Sequence, residues 1–309
     1  MNSPFHPGEQ AVQAQVGVRE KVEEIGKRVI RSFMPEQHRE FFAQQPWLLV
    51  GSLASDGQPQ ASLVWGAPGF LHSPEPTRLR IDALAQSDDL LATNLVPGAR
   101  LGLLGLELPT RRRNRLNGTV IAADAKGFSV EVAQSFGNCP KYIQARSWQA
   151  VAREPGPLEL GVGLDQRWLA LVTQADTLFI ASHNSDPQAG GVDVSHRGGA
   201  PGFVSLAADG RLWLPDYSGN LLFNTLGNLL LEPRCGLLFV DFDSGDLLQL
   251  EARAELYWPQ QLAALGQTLP AGAERLLALT PGRWRLRRAR LPLAFGAPSA
   301  SPFLPVQGV

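Results

Sequence analysis

The sequence predicts a mainly β protein with peripheral helices, arranged as two similar halves. Three observations point there. Apolar runs of strand length recur along the chain, separated by turn signals such as Ser55-Asp-Gly57, Ala208-Asp-Gly210 and Asp243-Ser-Gly245. Arg100-Leu-Gly-Leu-Leu104 returns as Arg234-Cys-Gly-Leu-Leu238, 134 residues further on, and Asn94-Leu95 returns at the same spacing as Asn228-Leu229. The chain has 309 residues, 44% of them hydrophobic, which suffices for about two domains with cores of their own.

Residues 1–10 contain two prolines and no apolar period, so they read as an arm. Val12, Val16, Val22, Ile25, Val29 and Ile30 recur at spacings of three and four, which predicts an amphipathic helix over 11–33, ended by Pro35. A short helix over 36–44 completes an N-terminal region of residues 1–45. The first half, 46–151, then holds strands at 47–52, 59–64 and 79–81 and a helix over 88–95 with Ser87 as its N-cap. A strand at 100–106 and a hairpin of 115–122 with 127–132 follow. Two prolines and a glycine mark 152–158 as a linker. The second half, 159–309, repeats the order: strands at 178–182, 202–206 and 211–214, a helix over 220–231, and strands at 233–240 and 247–255. Each half is expected to form a barrel or sandwich.

Composition removes several function classes. With 28 basic and 29 acidic residues and a net charge of −1, the chain lacks the basic excess of a dedicated nucleic-acid binder. Two cysteines exclude a disulfide scaffold or a cysteine-rich zinc module. The first twenty residues lack an apolar core of signal-peptide type and no run approaches a membrane helix, so a cytoplasmic protein without membrane contact is the expectation. There is no P-loop and no Gly-x-Ser-x-Gly elbow. Gly161-Val-Gly163 lacks the third glycine of a dinucleotide fingerprint. The histidines, His6, His38, His72, His183 and His196, show no metal-ligand spacing, so no metal site is expected. The arginine-rich stretches 111–115 and 283–290 read as solvated strand faces balanced by carboxylates, with an anionic partner as the alternative.

Three segments carry unusual chemistry: Gln134-Ser-Phe-Gly-Asn-Cys-Pro-Lys-Tyr-Ile143, Asp193-Val-Ser-His-Arg-Gly-Gly-Ala-Pro-Gly-Phe203 and Gly219-Asn-Leu-Leu-Phe-Asn-Thr-Leu-Gly-Asn-Leu229. Through them the chain, from about Phe5 to about Leu256, resembles the flavin-nucleotide-binding proteins related to pyridoxamine 5′-phosphate oxidase. The resemblance implies two tandem FMN-binding split β-barrels that form a pseudo-dimer within one chain, with FMN at their interface. It implies one competent site, in the second half, because Asn228-Leu229 is followed by Pro233 as in the family, whereas the offset places Asp89-Leu-Leu91 at the matching phosphate position of the first half. The chain departs from the family where Ser-x-Lys is usual and Phe223-Asn-Thr225 stands.

The cofactor-binding residues expected on this basis are Lys141, His196, Arg197, Gly198, Gly199, Phe203, Asn224, Thr225 and Asn228. Their types suit the task. A flavin phosphate requires guanidinium or ammonium groups, hydroxyls and main-chain N–H donors, and Arg197 precedes two glycines that permit close approach. Lys141 is one of only four lysines, with Lys21, Lys27 and Lys126. Other readings stay open: residues 195–199 as a surface turn, Asn224 and Asn228 as helix caps, Cys139 as a packed small residue. No catalytic residue is assigned. The expectation is an oxidoreductase acting on an unknown small-molecule substrate or electron donor. The alternatives are a non-catalytic flavin carrier or sensor, or a split barrel binding deazaflavin or haem. Pairing of two such chains as a homodimer is a further expectation.

Overall fold

The computed structural model describes residues 3–186 and 191–305. Its chain is mainly β, in antiparallel sheets. The N-terminal helices are α1 (Pro7–Gln15), α2 (Arg19–Val29) and α3 (Glu36–Ala43). The first large sheet comprises β1 (Trp47–Leu53), β2 (Pro59–Trp65), β3 (Leu71–Glu75), β4 (Arg78–Ile81), β5 (Arg100–Glu107), β6 (Arg112–Asp124) and β7 (Gly127–Gly137), with α4 (Leu91–Asn94) before β5. After β8 (Trp148–Ala150) come β9 (Leu158–Val162), α5 (Gln166–Gln174), β10 (Thr177–Asn184), β11 (Gly191–Gly198), β12 (Ser205–Leu206) and β13 (Leu212–Tyr217). Then follow α6 (Asn224–Leu231), β14 (Arg234–Val240), β15 (Leu247–Tyr257), α7 (Pro259–Ala264), β16 (Ala273–Arg287) and β17 (Leu293–Phe295), which pairs with β8.

The internal repeat is visible in the topology. The first sheet runs β2-β1-β5-β6-β7-β4-β3 and the second β11-β10-β14-β15-β16-β13-β12, the same order with each strand replaced by its later counterpart. Register repeats as well. Leu49, Val50 and Gly51 face Leu104, Leu103 and Gly102, and Phe179, Ile180 and Ala181 face Leu238, Leu237 and Gly236. The second sheet carries one addition, β9, on β16. Neither sheet closes into a barrel among the described residues: β2 and β3 end the first, β11 and β12 the second. The barrel or sandwich expected of each half is thus an open sheet, because alternation within strands specifies a buried face and not whether the end strands pair.

Each sheet encloses its own core, one around Leu48, Val50, Leu103 and Phe128, the other around Ile180, Leu237, Phe239 and Leu250. A third cluster draws equally on both halves, with Leu49 and Phe179, Ala61 and Val194, Leu104 and Leu238 meeting between the sheets. Glycines allow that approach. A Cβ on Gly102 would lie 2.5 Å from the Val192 carbonyl oxygen, and one on Gly236 would lie 2.4 Å from that of Pro59. Strand backbones thus touch twice, in equivalent places, as the two sides of an isologous dimer interface do.

Three local expectations are corrected. The arm over 1–10 is helical from Pro7, because His6 caps α1: its ring accepts from Gly8 N, and the Glu9 carboxylate accepts from His6 N at 2.9 Å. The single helix over 11–33 is broken at Gly17, whose φ of +75° a helix cannot continue. The helix over 88–95 shrinks to α4, since the Asp89 side chain accepts from Leu91 N at 2.9 Å and Ser87 caps nothing. Of residues 195–199, open to reading as a surface turn, all but Gly199 lie in strand β11. In the arginine-rich stretch 283–290, Arg283 is exposed, but Arg287 is fully buried.

Candidate functional site

The end of β11, the end of β13, the start of α6 and the entry of β6 converge between the halves. They line a cavity of about 90 Å³ whose walls include Arg113, Arg115, Ser195, His196, Arg197, Asn224 and Thr225. A smaller cavity of about 60 Å³ adjoins it, lined by Lys141, Tyr142, His196, Arg197, Gly198 and Tyr217. Strand alternation brings Ser195 and Arg197 to one side, while β6 contributes Arg113 and Arg115 from the first half.

The electrostatics are cationic. Arg115 is buried and pairs with Asp193 at 2.6 Å. It also donates to Ser195 Oγ. Arg197 pairs with Asp216 at 2.6 Å, and the same carboxylate holds Arg275 at 2.8 Å. Arg113 has no acidic partner among the described residues; it donates to the Cys139 carbonyl at 2.7 Å. Burial, with Arg115 and Arg197 nearby, pushes its guanidinium down to about 10, so it stays charged at neutral pH. His196 is driven well below its ordinary value by burial and then by Arg113, Arg197 and Arg146. It is therefore neutral, and its buried Nε2 has no hydrogen-bond partner among the described residues. No side chain caps α6, so first-turn N–H groups remain available at the cavity wall.

The nine residues expected from sequence divide. His196, Arg197, Asn224 and Thr225 line the larger cavity, and Lys141 and Gly198 the smaller. Lys141 also lies over the Phe303 ring, 5.6 Å from its centroid. Gly198 permits close packing: a Cβ there would lie 2.0 Å from the Tyr142 carbonyl oxygen. Three residues stand apart. Asn228 is fully buried, donating to Ser182 at 3.1 Å and Asp193 at 2.8 Å and accepting from Asn184 at 2.6 Å. Phe203 packs on the second core and against Gly199. The Gly199 carbonyl accepts from Gln144 at 2.8 Å. Arg113 and Arg115, missed as site residues, belong to the arginine-rich stretch that charge balance made look ordinary.

The first half fills its matching position. Register pairs Arg115 with Leu104 and Gln249 with Leu238, so Gln249 is the counterpart of Arg115, as Ser62 is of Ser195. There Asp89 Oδ1 accepts from Ser62 at 2.7 Å, Gln249 at 3.1 Å and Leu91 N at 2.9 Å, while Oδ2 accepts from Arg287 at 2.8 Å. Asp88 accepts from Arg287 and Arg290 as well. One half thus holds a carboxylate of its own chain where the other leaves a cationic cavity.

No family model matches the chain, and no curated protein does. Among solved structures, a Lactobacillus delbrueckii protein described as a candidate pyridoxamine 5′-phosphate oxidase matches at 16% identity and a TM-score of 0.28, covering 34% of this chain and 95% of its own. Group A Streptococcus HupZ matches at 12% identity and 0.29, covering 39% and 96%. HutZ, described as the haem storage protein of Vibrio cholerae, matches at 15% and 0.25, covering 46% and 99%. At these identities and TM-scores the likenesses fix neither ligand nor site.

Proposed function

We propose that the chain is an FMN-binding oxidoreductase built as a pseudo-dimer of two split-barrel-like halves, with the flavin phosphate in the cavity at the start of α6. One observation carries this reading: the position is closed by Asp89 and Arg287 in the first half, whereas in the second it is lined by Arg113, Arg115, Arg197, Ser195 and Thr225, with Asp216 in the wall holding Arg197. Three guanidinium groups, two hydroxyls and the first turn of a helix suit a phosphate ester carrying nearly two charges. About 90 Å³ admits a phosphate group but not a flavin ring, for which pockets of roughly 300 Å³ or more are usual.

Ring binding therefore requires the segments around Tyr142 and around Leu221 and Phe223 to part; all three residues hold positive φ, at 64°, 65° and 62°. Bound FMN would supply hydride or electron transfer. The chain would supply the phosphate clamp through Arg113 and Arg197, and neutral His196 as a hydrogen-bonding group beside it. The substrate is a small molecule of unassigned identity.

Titration with FMN and with riboflavin, which lacks the phosphate, tests the reading. FMN should bind at least ten-fold more tightly, and Arg197→Ala should weaken FMN more than Arg112→Ala. Equal affinity for the two flavins, or no uptake of either, overturns it. The unpartnered Nε2 of neutral His196 favours one alternative, haem ligation; a Soret band after reconstitution with haem, and its loss in His196→Ala, would select that reading instead.

A further inference from the structure

A much larger cavity lies elsewhere. It measures about 850 Å³ and opens between α4, the β1–β2 turn, β9, the first half of β15 and the last part of β16, around residues 283–285. Pseudo-symmetry shows what occupies the matching place. Asn94 and Gln60 at this cavity are the counterparts of Asn228 and Asp193, beside which the N-terminal segment packs, with Glu9 bonded to Asn224 and Gly8 against Gly227. Register makes Arg285 the counterpart of Phe136, for Gln249 faces Arg285 as Arg115 faces Phe136. Phe136 is buried against Phe5 and Val22 of the N-terminal segment. Arg285 is instead only half-buried, with Leu160 of β9 opposite it in register.

The cavity has its own chemistry. Its wall is largely apolar, with Leu53, Val96, Leu160 and Val162, and three polar groups stand in that wall with capacity to spare. Gln249 is 3% exposed; its amide nitrogen is used by Ala61, Ser62 and Asp89, which fixes its orientation and leaves Oε1 without a partner. Trp284, also 3% exposed, has an indole N–H with no partner among the described residues. Arg285 donates once, to the Asp88 carbonyl at 3.0 Å, and has no acidic partner among the described residues. The carboxylates at the mouth are neutralised: Arg283 holds both Asp56, at 3.0 Å, and Glu251, at 2.8 Å.

We propose that this cavity is a second ligand site, for a small amphipathic anion: an apolar or aromatic body bearing a carboxylate, sulfonate or phosphate held by Arg285, with a hydrogen-bond donor for Gln249. The size lies within the usual range for ligands of a few hundred daltons. Duplication left two equivalent grooves; the chain's own N-terminal segment closes one, and the other keeps an arginine where its mate has a phenylalanine.

The test uses two dyes with the full chain: anilinonaphthalene sulfonate, which is anionic, and N-phenylnaphthylamine, its neutral relative. Both should bind with enhanced fluorescence at one site per chain. Thr93→Trp, on the exposed side of α4, should abolish binding of both by filling the cavity. Arg285→Leu should weaken the sulfonate about ten-fold, the loss of one charge-assisted bond, and leave the neutral dye unchanged. Circular dichroism and thermal melting confirm that each variant is folded. Binding that survives Thr93→Trp, or that responds to Arg285→Leu equally for both dyes, overturns the proposal.

Discussion

Asp89 and Thr225 stand two positions apart in the repeat, yet their side chains meet matching serines in the two halves. Asp89 accepts from Ser62 Oγ at 2.7 Å, and Thr225 donates to Ser195 Oγ at 3.0 Å. On the proposed reading, a carboxylate beside one serine and a hydroxyl beside the other set which half admits an external anion. Thr225→Asp should therefore close the second site as Asp89 closes the first. Binding of FMN should fall by at least ten-fold in calorimetric titration, with the fold intact. Unchanged affinity would show that the anion does not sit beside Thr225.

The closed half should depend on its ion pairs for stability. Arg287 is fully buried and holds both Asp88 and Asp89. Arg287→Ala leaves two carboxylates short of a partner in a buried place, a change expected to cost about 3–5 kcal/mol. The double variant that also replaces Asp89 by Asn should recover part of that loss, since it removes the charge left uncompensated. Urea unfolding measures both; additive losses would mean that the two residues do not act as a pair.

The N-terminal helix should weaken as pH rises to neutrality and just beyond. Burial first, and the neighbouring Asp193 second, raise the Glu9 carboxyl to about 8, so it is protonated in the folded protein at neutral pH. A group raised on folding gives stability that is complete below its ordinary value and is lost as pH rises through the folded one. The melting temperature of the wild type should fall between about pH 4.5 and pH 8 more than that of Glu9→Gln, whose side chain carries no charge to bury. Parallel curves would place the ionisation elsewhere.

Close contact between the halves predicts a matched pair of sensitive glycines. Gly102→Ala and Gly236→Ala would each drive a Cβ into a facing carbonyl, at 2.5 and 2.4 Å. Each should destabilise by about 1–3 kcal/mol through forced backbone separation. Gly137→Ala, whose nearest neighbour would be at 3.5 Å, serves as the control and should be close to neutral. Thermal unfolding that ranks the control with the other two would contradict the packing between sheets.

The fold was legible in the sequence where local pattern carries it. Leu-rich strands, Asp-Gly turns and the repeat of Arg100–Leu104 at Arg234–Leu238 suffice to place most strands of both sheets. What escaped was long-range or depended on burial of polar groups. Helix α1 starts at Pro7 because His6 and Glu9 bond to one another's backbone while buried, a combination that reads as a polar arm. Arg287 looked solvated because its partners, Asp88 and Asp89, lie about 200 residues earlier in the chain. At the site, Arg197 and Thr225 stood out by motif, whereas Arg113 and Arg115 enter from the other half and are brought there only by packing of the sheets. Asn228 stood out equally, yet its three hydrogen bonds are to Ser182, Asn184 and Asp193, inside the protein.

A crystal structure of the protein grown with FMN tests the central claim most directly. The account predicts one flavin per chain, its phosphate bonded to Arg113 and Arg197 beside Thr225, with the Asp89–Arg287 pair of the first half undisturbed. A phosphate bound instead at the first half, or in the large cavity beside Arg285, would contradict it.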